Sequence, residues 1–162
     1  MRKLTLNHQT TINEVATIHE HLLENQEVNY KATQTSIALR YEMINARLRH
    51  TNDTILLLEH NQEIKGFIWG HYELQTKTVI IELLYVYPDY RRQGLAKQLK
   101  MAIEQWAKDI GAVSIQSTIH IKNEAMLNLN RQLGYDDTHI RMRKDLMLSL
   151  IHISEPTRRR GI

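Results

Sequence analysis

One carboxylate in this chain has an unusual setting. Glu82 lies within Val79–Tyr87, a run that is otherwise almost entirely apolar and rich in β-branched residues. Such a run predicts a strand buried on both faces, where a carboxylate must be paired, hydrated at a cleft or protonated. A carboxylate so placed can accept a proton from an incoming ammonium group, directly or through water. A structural ion pair, or a place at the edge of the sheet, explains the residue equally well.

The turn that follows this strand could bind a phosphate group. Residues Pro88–Asp89 stop the strand, and apolar residues then recur at helical spacing over 95–110. The start of a helix exposes backbone N–H groups, and a glycine such as Gly94 lets a ligand approach the backbone closely. Arg91 and Arg92 add positive charge. Most turns of this kind only connect two elements, so the pattern alone is weak evidence for a ligand.

Two sequence blocks, taken in their order, resemble the GNAT superfamily of N-acetyltransferases. Arg91-x-x-Gly94-x-Ala96, directly after a strand that ends in Leu84–Pro88, is similar to the superfamily's loop for the pyrophosphate of acetyl-CoA. The block 123–135 resembles its later helix, which begins with Asn and ends in Gly-Phe or Gly-Tyr. The resemblance covers about residues 2–148.

The resemblance implies how acetyl-CoA, the cosubstrate, is held. In the superfamily the central strand bulges near the position of 84–86, which frees backbone groups for the pantetheine arm and the thioester oxygen. Asn123 is expected to contact the pantetheine arm, and it is equally suited to cap a helix. The expected acetyl-CoA contacts are Leu84, Val86, Arg91, Arg92, Gln93, Gly94, Leu95, Ala96 and Asn123.

The resemblance also implies two catalytic positions, Glu82 and Asn130. The Ile-Glu-x-x-Tyr-Val context of Glu82 is similar to that of members that acetylate small amines and use this glutamate as the base. Many members place a tyrosine, as general acid, where this chain has Asn130. An asparagine can hydrogen-bond the CoA sulfur but cannot be an acid at neutral pH. Water or another residue must then protonate the thiolate, or the thiolate leaves unprotonated.

The flanking patterns predict an α/β fold with one mixed sheet. The resemblance implies the same: a mostly antiparallel central sheet with a parallel splayed pair and about four flanking helices. Thr11 and Glu14 form a capping-box signature for the first helix. The predicted strands are 3–8, 54–59, 64–74, 79–87, 112–121 and 138–146, and the predicted helices are 12–25, 35–50, 95–110 and one after Asn123.

The length of 162 residues fits one domain, which we expect over residues 1–148. The end of the chain, from Leu148 to Arg158, resembles the translation of a sequencing-library adapter. We therefore expect residues 149–162 to be non-native or disordered and leave them out of the fold. The arginine run 158–160 would otherwise suggest nucleic-acid binding.

The composition excludes several classes of partner and site. The net charge is +3, and the last fourteen residues hold three Arg and one Glu, so the remainder carries only +1. No nucleic-acid partner is expected. The absence of cysteine excludes disulfides and thiolate metal sites, and the nine histidines are scattered, so no metal is expected. No apolar run approaches the about 20 residues of a membrane span, and no signal peptide is evident, so we expect a cytoplasmic protein without a membrane partner.

The predicted function is acetyl-CoA-dependent transfer of an acetyl group to a primary amine of a small, polyamine- or aminoglycoside-like molecule. One alternative is a protein or peptide acceptor. A polycationic acceptor could meet carboxylates on the first two helices, although these could equally be a solvated surface: Glu20, Glu24, Glu27 and Glu42. Another alternative is a catalytically silent acyl-CoA-binding or regulatory module. A homodimer is left open.

Overall fold

The computed structural model of the chain describes residues 1–147 and contains two compact units, Met1–Asn123 and the residues from Glu124 on. The second unit holds α4, Glu124–Gln132. The first unit holds the other elements: β1 (Arg2–Lys3), α1 (Gln9–Gln26), α2 (Gln34–His50), β2 (Asp53–His60), β3 (Glu63–Glu73), β4 (Thr78–Val86), α3 (Leu95–Asp109) and β5 (Ser114–Ser117). A single 3-10 turn, Pro88–Tyr90, lies between β4 and α3.

The five strands form one mixed sheet in the order β1-β2-β3-β4-β5. The first three pairs are antiparallel and β4 pairs with β5 in parallel, so the predicted meander and parallel pair are confirmed. The β2–β3 hairpin turns at Asn61 and Gln62, whose φ angles of 53° and 65° match the right-handed twist of the strands.

Two apolar clusters cover the two faces of the sheet. On one face α1 and α2 contribute Ile12, Val15 and Ile44, which pack against Phe67 and Trp69 of the sheet. On the other face the α3 residues Leu99 and Ile103 pack against Ile68. Because side chains alternate along a strand, successive residues of β3 serve opposite clusters. We call the two surfaces the α1–α2 face and the α3 face.

Glycines in β3 let α3 approach the sheet. A Cβ added at Gly66 would lie 2.8 Å from the backbone oxygen of Tyr85 and 3.2 Å from Cδ1 of Leu99. A Cβ at Gly70 would lie 2.9 Å from Cδ1 of Ile103. The strand therefore lacks side chains at two positions where another group already fills the space.

Several predicted boundaries are wrong. Thr11 is not the N-cap of α1, because the helix begins earlier and His8 takes that position without a side-chain cap bond. The capping box belongs instead to α2, where Thr33 and Ser36 exchange hydrogen bonds. The predicted strands 3–8 and 112–121 are shorter in the structure, where β1 covers only 2–3 and β5 only 114–117.

The predicted last strand, Thr138–Leu146, is also wrong. Residues 138–146 form no regular element, and Ile140, Met142 and Leu146 are each more than four-fifths exposed. Alternating apolar residues form a strand only where a partner strand satisfies the backbone groups, and none pairs with this segment within the described chain. The prediction for the tail, 149–162, lies outside the described residues.

Residues 1–147 contain neither a membrane-spanning helix nor a metal-binding group. No helix there is both long and apolar enough to cross a membrane. Over the same residues, no three or more His, Asp or Glu side chains come together as a metal-binding group.

We predict that Gly66→Ala destabilises the fold by about 1–3 kcal/mol, because its Cβ would meet a backbone atom that cannot turn aside. Gly70→Ala is the matched control, since its Cβ meets side-chain atoms of Ile103 and Trp106 and no backbone atom is among its three nearest contacts. Urea unfolding of both variants measures the difference. Equal stability of the two variants would contradict this account of the packing.

Candidate active site

A bulge in β4 places Glu82 on the α1–α2 face. Trp69 of β3 pairs with Leu83 and the next residue, Gly70, pairs with Ile81, so Glu82 is an extra residue without a partner in β3. Ile81 packs in the cluster of the α3 face, whereas Leu83 packs in the cluster of the α1–α2 face. A strand without the bulge would direct both residues to the same face.

The bulge lies earlier than expected. The resemblance implied a bulge near 84–86, but these residues keep an unbroken register with β3. Burial explains the difference, because Ile81, Leu84 and Val86 all pack in the cluster of the α3 face. Positions 81 and 84 can share a face only if the strand gains one residue between them.

A buried carboxylate, Asp53, lies at the start of β2. The Asp53 side chain has no exposed surface and accepts hydrogen bonds from Nε1 of Trp69 at 2.6 Å and from Oγ1 of Thr51 at 2.5 Å. Nδ1 of His71 lies 2.6 Å away and Nε of Arg47 lies 2.9 Å away. We call these five residues the Asp53 cluster. Four partners around one carboxylate are what a buried anion needs.

The Asp53 cluster extends to Glu82 through Arg47. Nη2 of Arg47 donates to Oε1 of Glu82 at 2.9 Å, while its guanidinium lies 4.9 Å from the centroid of the Trp69 ring. The Glu82 side chain keeps 27% of its surface exposed. Glu82 is therefore both ion-paired and accessible to solvent. The structural ion pair considered for it is present, and its role as a proton acceptor stays a prediction.

His19 of α1 lies next to this group. Its ring meets the Trp69 ring edge-on, with centroids 5.9 Å apart, and its Nδ1 is buried without a hydrogen-bond partner in residues 1–147. Burial, together with the positive charge of Arg40, lowers the pKa of His19 to about 4. The charge of Glu82 acts in the opposite direction. His19 is therefore neutral near pH 7.

The far edge of β4 is open beside the bulge. Within residues 1–147, β5 pairs with β4 only over 78–81, so residues 83–86 have a strand partner on the β3 side alone and the bulged Glu82 has none. Alternate backbone groups of an antiparallel strand point to each side, so part of the N–H and C=O groups here face away from β3. Leu84 and Val86 lie in this stretch, and the Val86 oxygen accepts a hydrogen bond from Nε of Arg91 at 2.8 Å.

The loop from Arg91 to Gly94 is exposed and leads into α3. Gly94 is the N-cap, with φ 78° and no side-chain cap, and a Cβ built on it would meet nothing within 4 Å. The space at Gly94 beside the first turn of α3 is thus open, as the predicted phosphate site requires. Arg92 is exposed, with φ 63°, and Gln93, Leu95 and Ala96 complete the turn. The Arg91 guanidinium instead lies over Tyr85, 5.4 Å from the centroid of its ring.

The remaining predicted site residues lie around α4. Asn123 is the last residue of the first unit and directly precedes the helix, at the position of an N-cap. Asn130 belongs to α4 in the second unit and is 5% exposed, and its Oδ1 is buried without a hydrogen-bond partner among the described residues. Its backbone oxygen accepts from the N–H of Tyr135 at 2.9 Å, which closes the helix end.

The predicted acidic mouth is only partly available. Glu20 is buried and bonds to Arg40 at 2.7 Å and to the Tyr30 hydroxyl. Glu24 accepts the N–H of Ala32 at 2.8 Å. Both carboxylates therefore stabilise the α1–α2 connection, whereas Glu27 and Glu42 are exposed.

Sequence reasoning missed His19 and the Asp53 cluster. Arg47 and Asp53 look like ordinary helix-end and strand-start residues, and nothing local ties them to position 82. One signal was present: Asp53 stands directly before the predicted strand 54–59, and Trp69 and His71 are amphipathic or polar residues inside the next predicted strand, where a buried polar group needs partners.

The sequence of residues 15–135 matches the family model described as the acetyltransferase (GNAT) family. The chain belongs to this family. It is therefore a member of a family of acetyltransferase enzymes, which use acetyl-CoA, and the expected fold class is confirmed.

The GNAT relatives include a protein of high identity. A crystal structure of a Staphylococcus aureus protein assigned to the GNAT acetyltransferases is 50% identical, with a TM-score of 0.68 over 72% of this chain and 98% of that one. AAC(6')-Iy, crystallised with the bisubstrate analogue CoA-S-monomethyl-acetylneamine, has a TM-score of 0.62 over 91% of this chain and 97% of that one. At 18% identity it supports the fold alone.

The name of one relative refers to an aminoglycoside acceptor. Aminoglycoside N(6')-acetyltransferase type 1 of Acinetobacter genomosp. 13 is 37% identical over 65 residues, which is 40% of this chain and 44% of the relative. The chain thus matches less than half the length of that relative, so the match does not extend over the whole enzyme.

We predict that His19 makes the fold less stable in acid. Its folded pKa of about 4 lies below the ordinary 6.5, so the unfolded chain binds the extra proton between these values. Stability should be constant above about pH 6.5 and fall as the pH drops toward 4, by at most on the order of 3 kcal/mol. Denaturant unfolding of the wild type and His19→Gln across that range measures the difference.

The control is His21→Gln on the same helix, since the His21 side chain is 56% exposed. It should keep the wild-type pH dependence, whereas His19→Gln should flatten it. An NMR titration of His19 with a midpoint near 6.5 would contradict the prediction.

Proposed function

We propose that this GNAT protein transfers an acetyl group from acetyl-CoA to a primary amine of a small molecule. The observation that carries the proposal is the bulge in β4. It sets the accessible carboxylate of Glu82 beside a stretch of strand edge, 82–86, that lacks a partner on one side. A proton acceptor next to free backbone groups suits a reaction that needs both a neutral amine and a bound carbonyl.

The residues present fit acetyl-CoA. Open space at the Gly94 Cβ position and the free N–H groups of the first turn of α3 suit a pyrophosphate, and Arg92 adds charge. Backbone groups of Leu84 and Val86 can hydrogen-bond the pantetheine arm, as can Asn123. When bound, acetyl-CoA supplies an acetyl group activated as a thioester.

In this proposal Glu82 is the general base. Its exposed carboxylate accepts a proton from the ammonium form of the acceptor, which leaves the amine lone pair free to attack. Asn130 can donate a hydrogen bond but no proton, so water protonates the departing thiolate or the thiolate leaves unprotonated. The role of Asn130 is accordingly smaller than that of Glu82.

Two observations favour a small-molecule acceptor. The relative that carries an aminoglycoside name is 37% identical in the matched segment, which supports an amine of the aminoglycoside or polyamine kind. Glu20 and Glu24 serve internal contacts and cannot both line an acidic mouth for a basic protein segment. A protein or peptide acceptor and a silent acyl-CoA-binding module are the alternatives that an activity screen separates.

We predict that Gly94→Asp abolishes binding of CoA, because it adds a negative charge where the pyrophosphate is bound. Gly111→Asp is the matched control. Gly111 has φ 87°, its Cβ position is equally open, and it follows the opposite end of α3. Isothermal titration calorimetry with CoA measures both variants.

Gly111→Asp should bind CoA as the wild type does, although both variants carry the same strain at a left-handed position. Unchanged affinity in Gly94→Asp would show that the pyrophosphate site is elsewhere. Loss of binding in both variants would trace the effect to strain.

We predict that the protein releases free CoA from acetyl-CoA with some members of a panel of small amines, and that Glu82→Gln lowers turnover about a hundred- to ten-thousandfold. The affinity for acetyl-CoA should hardly change, because the base acts on the amine. Thiol detection of free CoA follows the reaction, and kcat and KM are compared between the variant and the wild type.

Glu59→Gln is the control, since Glu59 is a carboxylate on β2 that is ion-paired with Arg2, and β3 separates β2 from β4. It should retain wild-type turnover. Near-full turnover of Glu82→Gln would place the base elsewhere. No activity with any small amine, together with activity on peptides, would favour the protein acceptor.

A further inference from the structure

The two oxygens of the Glu82 carboxylate have different surroundings. Oε1 accepts a hydrogen bond from Nη2 of Arg47 at 2.9 Å. Oε2 has no hydrogen-bond partner within residues 1–147, and the side chain is 27% exposed. One oxygen is therefore held and the other is left for a ligand.

Arg47 is itself fixed from three directions. Its Nε lies 2.9 Å from Oδ2 of Asp53, its Nη2 reaches Glu82, and its guanidinium stacks over Trp69 at 4.9 Å from the ring centroid. Asp53 cannot turn away, because Trp69 and His71 also bond to it. The rigid fork of arginine thus links a buried anchor to the carboxylate at the surface.

We propose that Arg47 is a positioning residue for acetyl transfer, which holds Oε1 of Glu82 so that Oε2 faces the ammonium group of the acceptor. This inference rests on the proposed function of Glu82. General-base catalysis needs the carboxylate within hydrogen-bond reach of the proton it accepts, and small misplacements lower the rate strongly. A freely rotating glutamate would seldom have the required orientation.

Other charged groups around Glu82 are already matched with partners. Asp53 is bonded by Arg47 and faces His71, and Glu20 is paired with Arg40. His19 is neutral near pH 7, because burial lowers its pKa to about 4. Within the described chain, Arg47 is the cation that contacts Glu82 directly.

Lysine cannot replace this fork. An ammonium group keeps the positive charge but is a single point, whereas the guanidinium donates from separate nitrogens to Asp53 and Glu82 at once. Arg47→Lys should therefore preserve the local charge, and with it the buried Asp53, while releasing Glu82.

The test is a double-mutant cycle in kcat for the best acceptor. Arg47→Lys should lower kcat about ten- to a hundredfold with the KM for acetyl-CoA unchanged. In a Glu82→Gln background the same substitution should have little further effect, because there is no base left to orient. Arg2→Lys is the control, since Arg2 forms a comparable two-nitrogen pair with Glu59 away from the site, and it should leave kcat unchanged.

A second variant tests the proposal should Arg47→Lys fail to fold. Arg47→Gln with Asp53→Asn removes both charges, and the new amide can still accept from Trp69 and donate to His71. It should fold, as judged by circular dichroism, and lose as much kcat as Arg47→Lys or more. Wild-type kcat in either variant would overturn the proposal.

Equal losses from Arg47→Lys with and without Glu82 would also overturn it, since the residue would then act on the fold alone. If Glu82→Gln keeps the wild-type kcat while the wild type acetylates amines, Glu82 is not the base and Arg47 does not position one. The acetyltransferase activity would still stand. If the wild type acetylates nothing, the proposed function itself fails.

Discussion

The hydrogen-bonded carboxylate of Asp53 is the interaction on which the site depends. It is completely buried and satisfied by Arg47, Thr51, Trp69 and His71. Arg47 and Thr51 lie at the end of α2, Trp69 and His71 lie in β3, and Asp53 itself begins β2, so one anion ties a helix to two strands. Removing one of these residues would leave a buried charge or hydrogen-bond donor without a partner, which would lower the free energy of unfolding. The arginine that α2 contributes then determines where Glu82 lies.

The bulge in β4 supplies the other half of the arrangement. One extra residue places Leu83 on the α1–α2 face and Leu84 and Val86 on the α3 face, so both clusters are filled. It also leaves Glu82 outside the ladder, where its side chain can reach α2. Because β5 stops pairing at Ile81, the bulge and the open edge of β4 begin at the same place. A single irregularity thus accounts for both the carboxylate and the free backbone groups.

Much of the fold could be predicted from the sequence, because its signals are local. The apolar spacing of α2 and α3, the Asn61–Gln62 turn and the helix stop at Gly111 each depend on a few neighbouring residues. The bulge left no such signal, because residues 79–87 are apolar or aromatic at every position except Glu82 and the pattern does not show which of them share a face. The last strand, 138–146, could not be judged, because strand formation depends on a partner.

The site was less predictable, since its contacts join residues far apart in the chain. Glu82 was found from its unusual setting and Gly94 from its motif, but the bond from Arg47 to Glu82 spans 35 positions. A single sequence carries no signal of that pairing. His19 was missed for the same reason, because a lone histidine on an amphipathic helix resembles any surface residue until Trp69 is seen beside it.

The most direct test of the account is a crystal structure of the protein with CoA. The account predicts hydrogen bonds between the amides of the pantetheine arm and the β4 backbone within 82–86. It also predicts that the pyrophosphate lies at the N–H groups after Gly94 and that Glu82 remains bonded to Arg47. CoA bound away from this edge of β4, or Glu82 turned from Arg47 into a contact that buries both its oxygens, would contradict it.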